Sequence, residues 1–189
     1  MSDSASSGGI PTARDIDHLA LTVPDLKEAV SFFVEYLCAD FIYEYGPVSN
    51  DGTWMTDAMG VDPKATCKIV MLRLGPRTNL ELFEYSAPDQ SGTPPRNSDI
   101  GGSHIAVYVD DIHAAVEYLR AIPGVMVQLG PNEVSDESVL DGISWCYWLT
   151  PWGQQMEVIT APNGMGYERI TSKRMAPPSP AWRARRLSL

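Results

Sequence analysis

Between Ile16 and Val23 the chain alternates apolar with small or polar residues, "IDHLALTV", and from Leu26 the period changes, with Leu26, Ala29, Val30, Phe33 and Leu37 at helical spacing. The first pattern predicts a half-buried strand and the second an amphipathic helix, with Pro24 and Asp25 suited to its first turn. "DFIYEYG" (40–46), "CKIVMLRLG" (67–75) and "TNLELFEY" (78–85) are rich in β-branched and aromatic residues and predict three more strands, the last two joined by the turn "GPR". The order is β-α-β-β-β. Residues 47–66, "PVSNDGTWMTDAMGVDPKAT", are too long and turn-rich for a hairpin connection, and read as a lid or binding loop.

The pattern then restarts. After "PDQSGTPPRNSDIGG" (88–102) come a strand "HIAVYV", a helix "DIHAAVEYLRAI", a strand "VMVQLG", a loop, and the strands "ISWCYWLT" and "QQMEVIT" on either side of a "PWG" turn. Residues 17–33 and 103–119 are identical at six of seventeen positions (His18/His104, Ala20/Ala106, Val23/Val109, Asp25/Asp111, Ala29/Ala115, Val30/Val116), which marks an internal repeat. The ends of the halves also agree, because "NLELF" and "QMEVI" align Glu81 with Glu157. The expected organisation is a disordered arm over 1–13, a first βαβββ module over 14–88, a linker over 89–102, a second module over 103–162, and a basic, Pro-containing tail over 163–189.

Composition narrows the class. With 189 residues, 44% of them hydrophobic and 20% charged, the chain reads as globular. A net charge of −10 argues against nucleic acid as a partner of the body. Six basic residues after Gly166 (Arg169, Lys173, Arg174, Arg183, Arg185, Arg186) leave the rest of the chain still more acidic, and the tail reads as solvated or self-docking. No window approaches the roughly 18 to 20 apolar residues of a membrane span, and the first residues lack a secretory pattern, so a cytoplasmic protein with no membrane partner is expected. Cys38, Cys67 and Cys146 are scattered, which favours buried free thiols over disulfides or a zinc knuckle.

Strand alternation places His18 with Ala20 and Thr22, opposite Leu19, Leu21 and Val23, which are expected to face the helix. His104 shares a face with Ala106 and Tyr108, Glu81 with Phe83 and Tyr85, and Glu157 with Gln155 and Ile159. A lone His or Glu in a strand is ordinarily hydrogen-bonded or exposed. Here both types recur in register in both halves, and the carboxylates sit in otherwise apolar strands, where an unpaired charge is costly to bury. A shared divalent cation would offset that cost, since two nitrogen and two oxygen donors suit a transition metal with positions left open.

The segments "IDHLALTVPDL", "NLELFEY", "GGSHIAVYVDDI" and "PWGQQMEVI", spanning roughly residues 14–162, resemble the vicinal oxygen chelate superfamily, which includes glyoxalase I, methylmalonyl-CoA epimerase, extradiol dioxygenases and fosfomycin- and bleomycin-resistance proteins. The resemblance implies an α+β fold of two βαβββ modules forming curved mixed sheets around a metal-binding cavity. It also implies one divalent transition metal (Zn, Mn, Co, Ni or Fe) on His18, Glu81, His104 and Glu157. Four ligands look more like the glyoxalase and epimerase branches, which implies an epimerase or isomerase acting through an enediolate on a small hydroxy-ketone or acyl substrate. Sugar and cyclitol epimerases of the 2-epi-5-epi-valiolone epimerase type look most similar. A glyoxalase I-type lyase, methylmalonyl-CoA epimerase, a non-catalytic binding or resistance protein and an extradiol-type dioxygenase are the alternatives. Glu157 and Glu81 are the candidates for proton transfer, and Phe83, Tyr85, Tyr108 and Trp54 for substrate contact. Related proteins often dimerise, so a homodimer is expected.

Overall fold

The computed structural model describes residues 10–179 and 182, so most of the expected N-terminal arm and the basic residues Arg183, Arg185 and Arg186 lie outside the described residues. The first half contains β1 (His18–Thr22), α1 (Leu26–Glu35), β2 (Asp40–Val48), α2 (Trp54–Met59), β3 (Thr66–Leu74) and β4 (Thr78–Ser86). The second contains β5 (Ile105–Tyr108), α3 (Ile112–Arg120), β6 (Met126–Val127), β7 (Asn132–Glu133), β8 (Ser144–Leu149) and β9 (Gln155–Thr160). The fold is α+β. Both long helices start on the aspartate that the repeat shares. Asp25 Oδ1 accepts a hydrogen bond from Glu28 N at 2.8 Å, and Asp111 Oδ1 accepts one from Ala114 N at 3.0 Å, each satisfying an amide that the first turn leaves unpaired. Glu84 Oε2 reaches from β4 to accept the Leu26 amide at 2.7 Å, which ties α1 to its sheet.

Each half builds one mixed sheet. The orders are β1-β4-β3-β2 and β5-β9-β8-β6, with β7 added on β8, and in both the first strand runs parallel to the last at one edge. The registers correspond as well, with Ala20 beside Glu81 and Ala106 beside Glu157. Along β4, Leu80 and Leu82 are fully buried and point to the side of α1, so the side chain between them, Glu81, points away. Met156 and Val158 flank Glu157 in the same way.

The two helix-covered sides face each other. Phe32 of α1 lies 5.3 Å from Trp152 and 6.2 Å from Trp148 between ring centroids, and Tyr118 of α3 donates a hydrogen bond to Tyr36 O at 2.9 Å. Residues of both halves therefore form one core, which includes Phe33, Leu72, Val116 and Val158. Consequently the glutamate-bearing faces of the two sheets lie on opposite sides of that core.

Three local expectations need correction. Leu19 is 42% exposed rather than packed on the helix, because β1 is an edge strand and only Leu21 and Val23, at its C-terminal end, reach the core. The stretch 47–66 is not one loop: β2 runs on to Val48, and Trp54–Met59 form a short helix pinned by the fully buried Met55 and stopped by Gly60 at φ +68°. "VMVQLG" supplies only a two-residue strand, after which the chain turns to place β7 on β8.

The tail docks at Trp182. Its half-buried ring lies over Gly75 in the β3–β4 turn, where a Cβ would come within 3.5 Å, and it packs against the shared core beside Val107, Tyr36 and Trp148. Trp182 therefore touches both halves. Trp182→Ala should cost about 2 kcal/mol, less than truncation of a fully buried Trp, and a lower midpoint in urea at unchanged slope is the expected reading. No helix among the described residues is long and apolar enough to cross a membrane.

Candidate metal centre

The repeat produces two matching side-chain pairs. In the first half His18, at the start of β1, sets Nε2 3.2 Å from Glu81 Oε2, and in the second His104, just before β5, sets Nε2 3.2 Å from Glu157 Oε2. Ala20 and Ala106, the strand neighbours of the two glutamates, leave space in front of each pair. The imidazoles are partly accessible, at 39% and 33% side-chain exposure, whereas Glu157 is only 8% exposed.

Each histidine is oriented from behind, by a different device. His18 Nδ1 lies 2.9 Å from Asp17 Oδ2, the preceding residue, and His104 Nδ1 lies 3.1 Å from Asn97 Oδ1 in the linker. Both oxygens can accept from an Nδ1–H, the tautomer that turns a bare Nε2 toward the glutamate. The hydrogen bond to Asp17 raises the pKa of His18, burial opposes it, and Glu81 adds to the rise. Burial pushes the Glu157 carboxyl up, and His104 partly offsets the effect.

This geometry fits a cation. With Nδ1 protonated, a neutral imidazole directs the Nε2 lone pair at a carboxylate oxygen, a repulsive arrangement unless a proton or a metal ion lies between them. An oriented imidazole with a carboxylate or amide behind it is the usual setting of a metal-ligating histidine. The nitrogen and oxygen donors suit a first-row divalent ion. Within one chain, however, the pairs remain apart across the core, and among the described residues no group of three or more His, Cys, Asp and Glu side chains is placed to hold a metal.

The other expected site residues are distributed as follows. Phe83 and Tyr85 stack at 5.3 Å on the same face as Glu81, and burial holds the Tyr85 phenol above its ordinary pKa. Tyr108 shares the face of Ala106, and its hydroxyl accepts from Ala161 N at 3.5 Å. Trp54 stands half-exposed on α2, outside both pairs. Sequence reasoning missed Tyr147, whose ring meets His104 at 5.1 Å and Trp145 at 4.9 Å. Register could have found it, because β8 pairs Tyr147 with Glu157. Asn97 carried no such signal, since it lies in an irregular segment seven residues from the histidine it orients.

A family model described as the Glyoxalase/Bleomycin resistance protein/Dioxygenase superfamily matches residues 15–134. A 2-epi-5-epi-valiolone epimerase from Actinomyces sp is 50% identical over 174 residues, covering 92% of this chain and 94% of that one. The mitochondrial methylmalonyl-CoA epimerase of Homo sapiens is 28% identical over 116 residues, covering 60% of this chain and 57% of that one. In structure, the glyoxalase family protein APC24694 from Bacillus cereus superposes with a TM-score of 0.60 at 17% identity, covering 80% of this chain and 98% of that one. Both curated relatives are epimerases, and the protein is an enzyme of that isomerase type. Paired sheets, the repeated His–Glu face and these likenesses agree, and the chain belongs to the Glyoxalase/Bleomycin resistance protein/Dioxygenase superfamily.

Proposed function

We propose that the protein is a divalent-metal-dependent epimerase of a small hydroxy-ketone, with 2-epi-5-epi-valiolone, the compound in its relative's name, as the first substrate to test. The observation that carries this reading is the duplicated His–Glu pair at the same 3.2 Å separation on the helix-free face of each sheet. His18, Glu81, His104 and Glu157 would hold the ion. A cation there would polarise the substrate carbonyl and stabilise the negative charge left when the neighbouring carbon loses its proton. The carboxylates supply the proton movement: one takes the proton from carbon, and its return to the opposite face inverts the centre. Phe83, Tyr85 and Tyr147 give each pair an apolar wall that limits water.

The same reading assigns the site to two copies of the chain. One pair offers only two protein donors, fewer than a transition ion takes, and the packing of the halves keeps the pairs on opposite sides of the core. Both histidines lie at open sheet edges: β1 and β5 are edge strands, available to the complementary edge of a second copy. In a two-fold dimer, His18 and Glu81 of one copy would meet His104 and Glu157 of the other, giving two equivalent sites. The three free cysteines are compatible with a reducing cytoplasm.

The test is exchange in deuterium oxide. The protein purified without chelator should carry about one transition ion per chain and should wash one carbon-bound proton of 2-epi-5-epi-valiolone into solvent at the rate of epimerisation. Chelation should abolish exchange, and re-addition of metal should restore it. A fully metallated protein without exchange on this or related hydroxy-ketones would sink the proposal.

A further inference from the structure

The linker forms more than a connection. Residues 94–98 cross the glutamate-bearing side of the second sheet and line an open-sided cavity of about 560 Å³ against Leu149, Gln128 and Gln155. Gln155 stands two residues before Glu157 on β9 and on the same face, hence about 7 Å along the strand from a candidate metal ligand. It is only 8% exposed, yet its Nε2 has no hydrogen-bond partner, and its Oε1 receives only a long contact of 3.5 Å from Gln128 Nε2. A buried amide left short of partners is costly, and such a group beside a cavity is one that a bound ligand can satisfy. The opposite wall holds Asn97, whose Oδ1 orients His104.

Charge in the cavity is already balanced. Arg96 is engaged by Asp99 through Nη2 at 2.7 Å, through Nε at 3.2 Å and through its own backbone amide at 2.9 Å. Among the described residues, no other cationic side chain lines the cavity. Among the described lining residues, the one cation is therefore already shared with a carboxylate, and phosphate and carboxylate groups gain less there than at an unpaired arginine. Carboxamides both donate and accept, which matches hydroxyl groups, and Leu149 with Pro94 supplies an apolar surface for the carbon frame.

We propose that the linker–sheet cavity is the specificity subsite for the uncharged, polyhydroxylated part of the substrate, read by the amides of Gln155, Gln128 and Asn97. This rests on the epimerase reading and deepens it: the reacting carbon lies at the His–Glu centre while the remote hydroxyls enter the cavity. The linker also joins the two functions, because occupancy beside Asn97 steadies the residue that aims His104. Phosphorylated or coenzyme-linked substrates are disfavoured at this subsite, where the lining arginine is already paired with Asp99.

The experiment compares wild type with Gln155→Met, which keeps the side-chain length while removing the amide, and Gln128→Met at the exposed rim. Metal content is measured by elemental analysis, binding of 2-epi-5-epi-valiolone by titration calorimetry, and epimerisation by proton exchange. Each variant should keep its metal and weaken binding and KM roughly tenfold, the effect of about 1.4 kcal/mol of lost hydrogen bonding, with kcat little changed. A substrate analogue lacking one remote hydroxyl should bind wild type weakly and lose little further affinity in the variants. Unchanged binding in both folded, metallated variants would overturn the subsite while leaving the epimerase reading intact. If wild type binds metal but epimerises nothing, calorimetry decides alone: amide-dependent binding of the cyclitol supports the cavity, and amide-independent or absent binding overturns it.

Discussion

Glu157→Gln is expected to abolish epimerisation to about one thousandth of wild type or less while leaving the fold at least as stable. The two effects separate because the residue is costly in the apo fold and needed in the loaded one. Glu157 is a buried carboxylate whose close polar partner among the described residues is His104, so a neutral amide of the same shape removes a desolvation penalty and retains a polar contact. The substitution nevertheless deletes an anionic ligand and a proton carrier, and loss of a positioned acid or base alone costs about 10²- to 10⁴-fold. Thermal denaturation without metal, elemental analysis and the exchange rate should therefore give an unchanged or higher midpoint, lost metal and lost exchange. A variant that still turns over would assign Glu157 a structural role and leave Glu81 as the sole carboxylate candidate.

The sequence conveyed the fold well wherever a single period governed a segment. The change from period two to period 3.6 at Pro24 located β1 and α1, and the repeat located their counterparts β5 and α3. It failed where tertiary context decided. Nothing local in "IDHLALTV" states that β1 lies at a sheet edge, so Leu19 looked like core and is exposed. α2 is only six residues long and depends on one buried side chain, Met55, within a stretch full of turn formers. The site divides along the same line. Parity and duplication were enough to put His18, Glu81, His104 and Glu157 on helix-free strand faces and suggested one shared site, whereas the structure joins them as two pairs, His18 with Glu81 and His104 with Glu157. How the two repeats pack against each other depends on the aromatic contacts of Phe32 with Trp148 and Trp152, which no periodicity encodes. Hence the faces were legible, and the division into two separate pairs was not. Asp17 and Asn97 show the limit within the repeat itself: position 103 is Ser where position 17 is Asp, so the second histidine takes its orienting oxygen from the linker.

That separation leads to the second large expectation. His18→Ala and His104→Ala proteins, each inactive alone, should regain about one quarter of wild-type activity when mixed and allowed to exchange subunits. In a mixed dimer, one site combines both damaged halves, while the other combines an intact His18 with an intact His104. Random pairing makes about half of the dimers mixed, and half of their sites are whole. Assembly within one chain predicts no recovery at all, because every chain then carries a damaged site. The double variant His18→Ala/His104→Ala mixed with either single variant is the control, since no pairing of those chains builds an intact site. Recovery should bring metal with it, at about one ion per four chains, so elemental analysis reads the same result without substrate. Leu80 and Leu82 hold Glu81 outward on one side of the core, and Met156 and Val158 hold Glu157 outward on the other. No side-chain rotation joins the pairs through that core. Either the halves separate and repack within one chain, breaking the Phe32–Trp152 and Tyr118–Tyr36 contacts, or a second copy supplies the missing ligands. Complementation distinguishes these routes, because only the second lets two damaged chains make one working site.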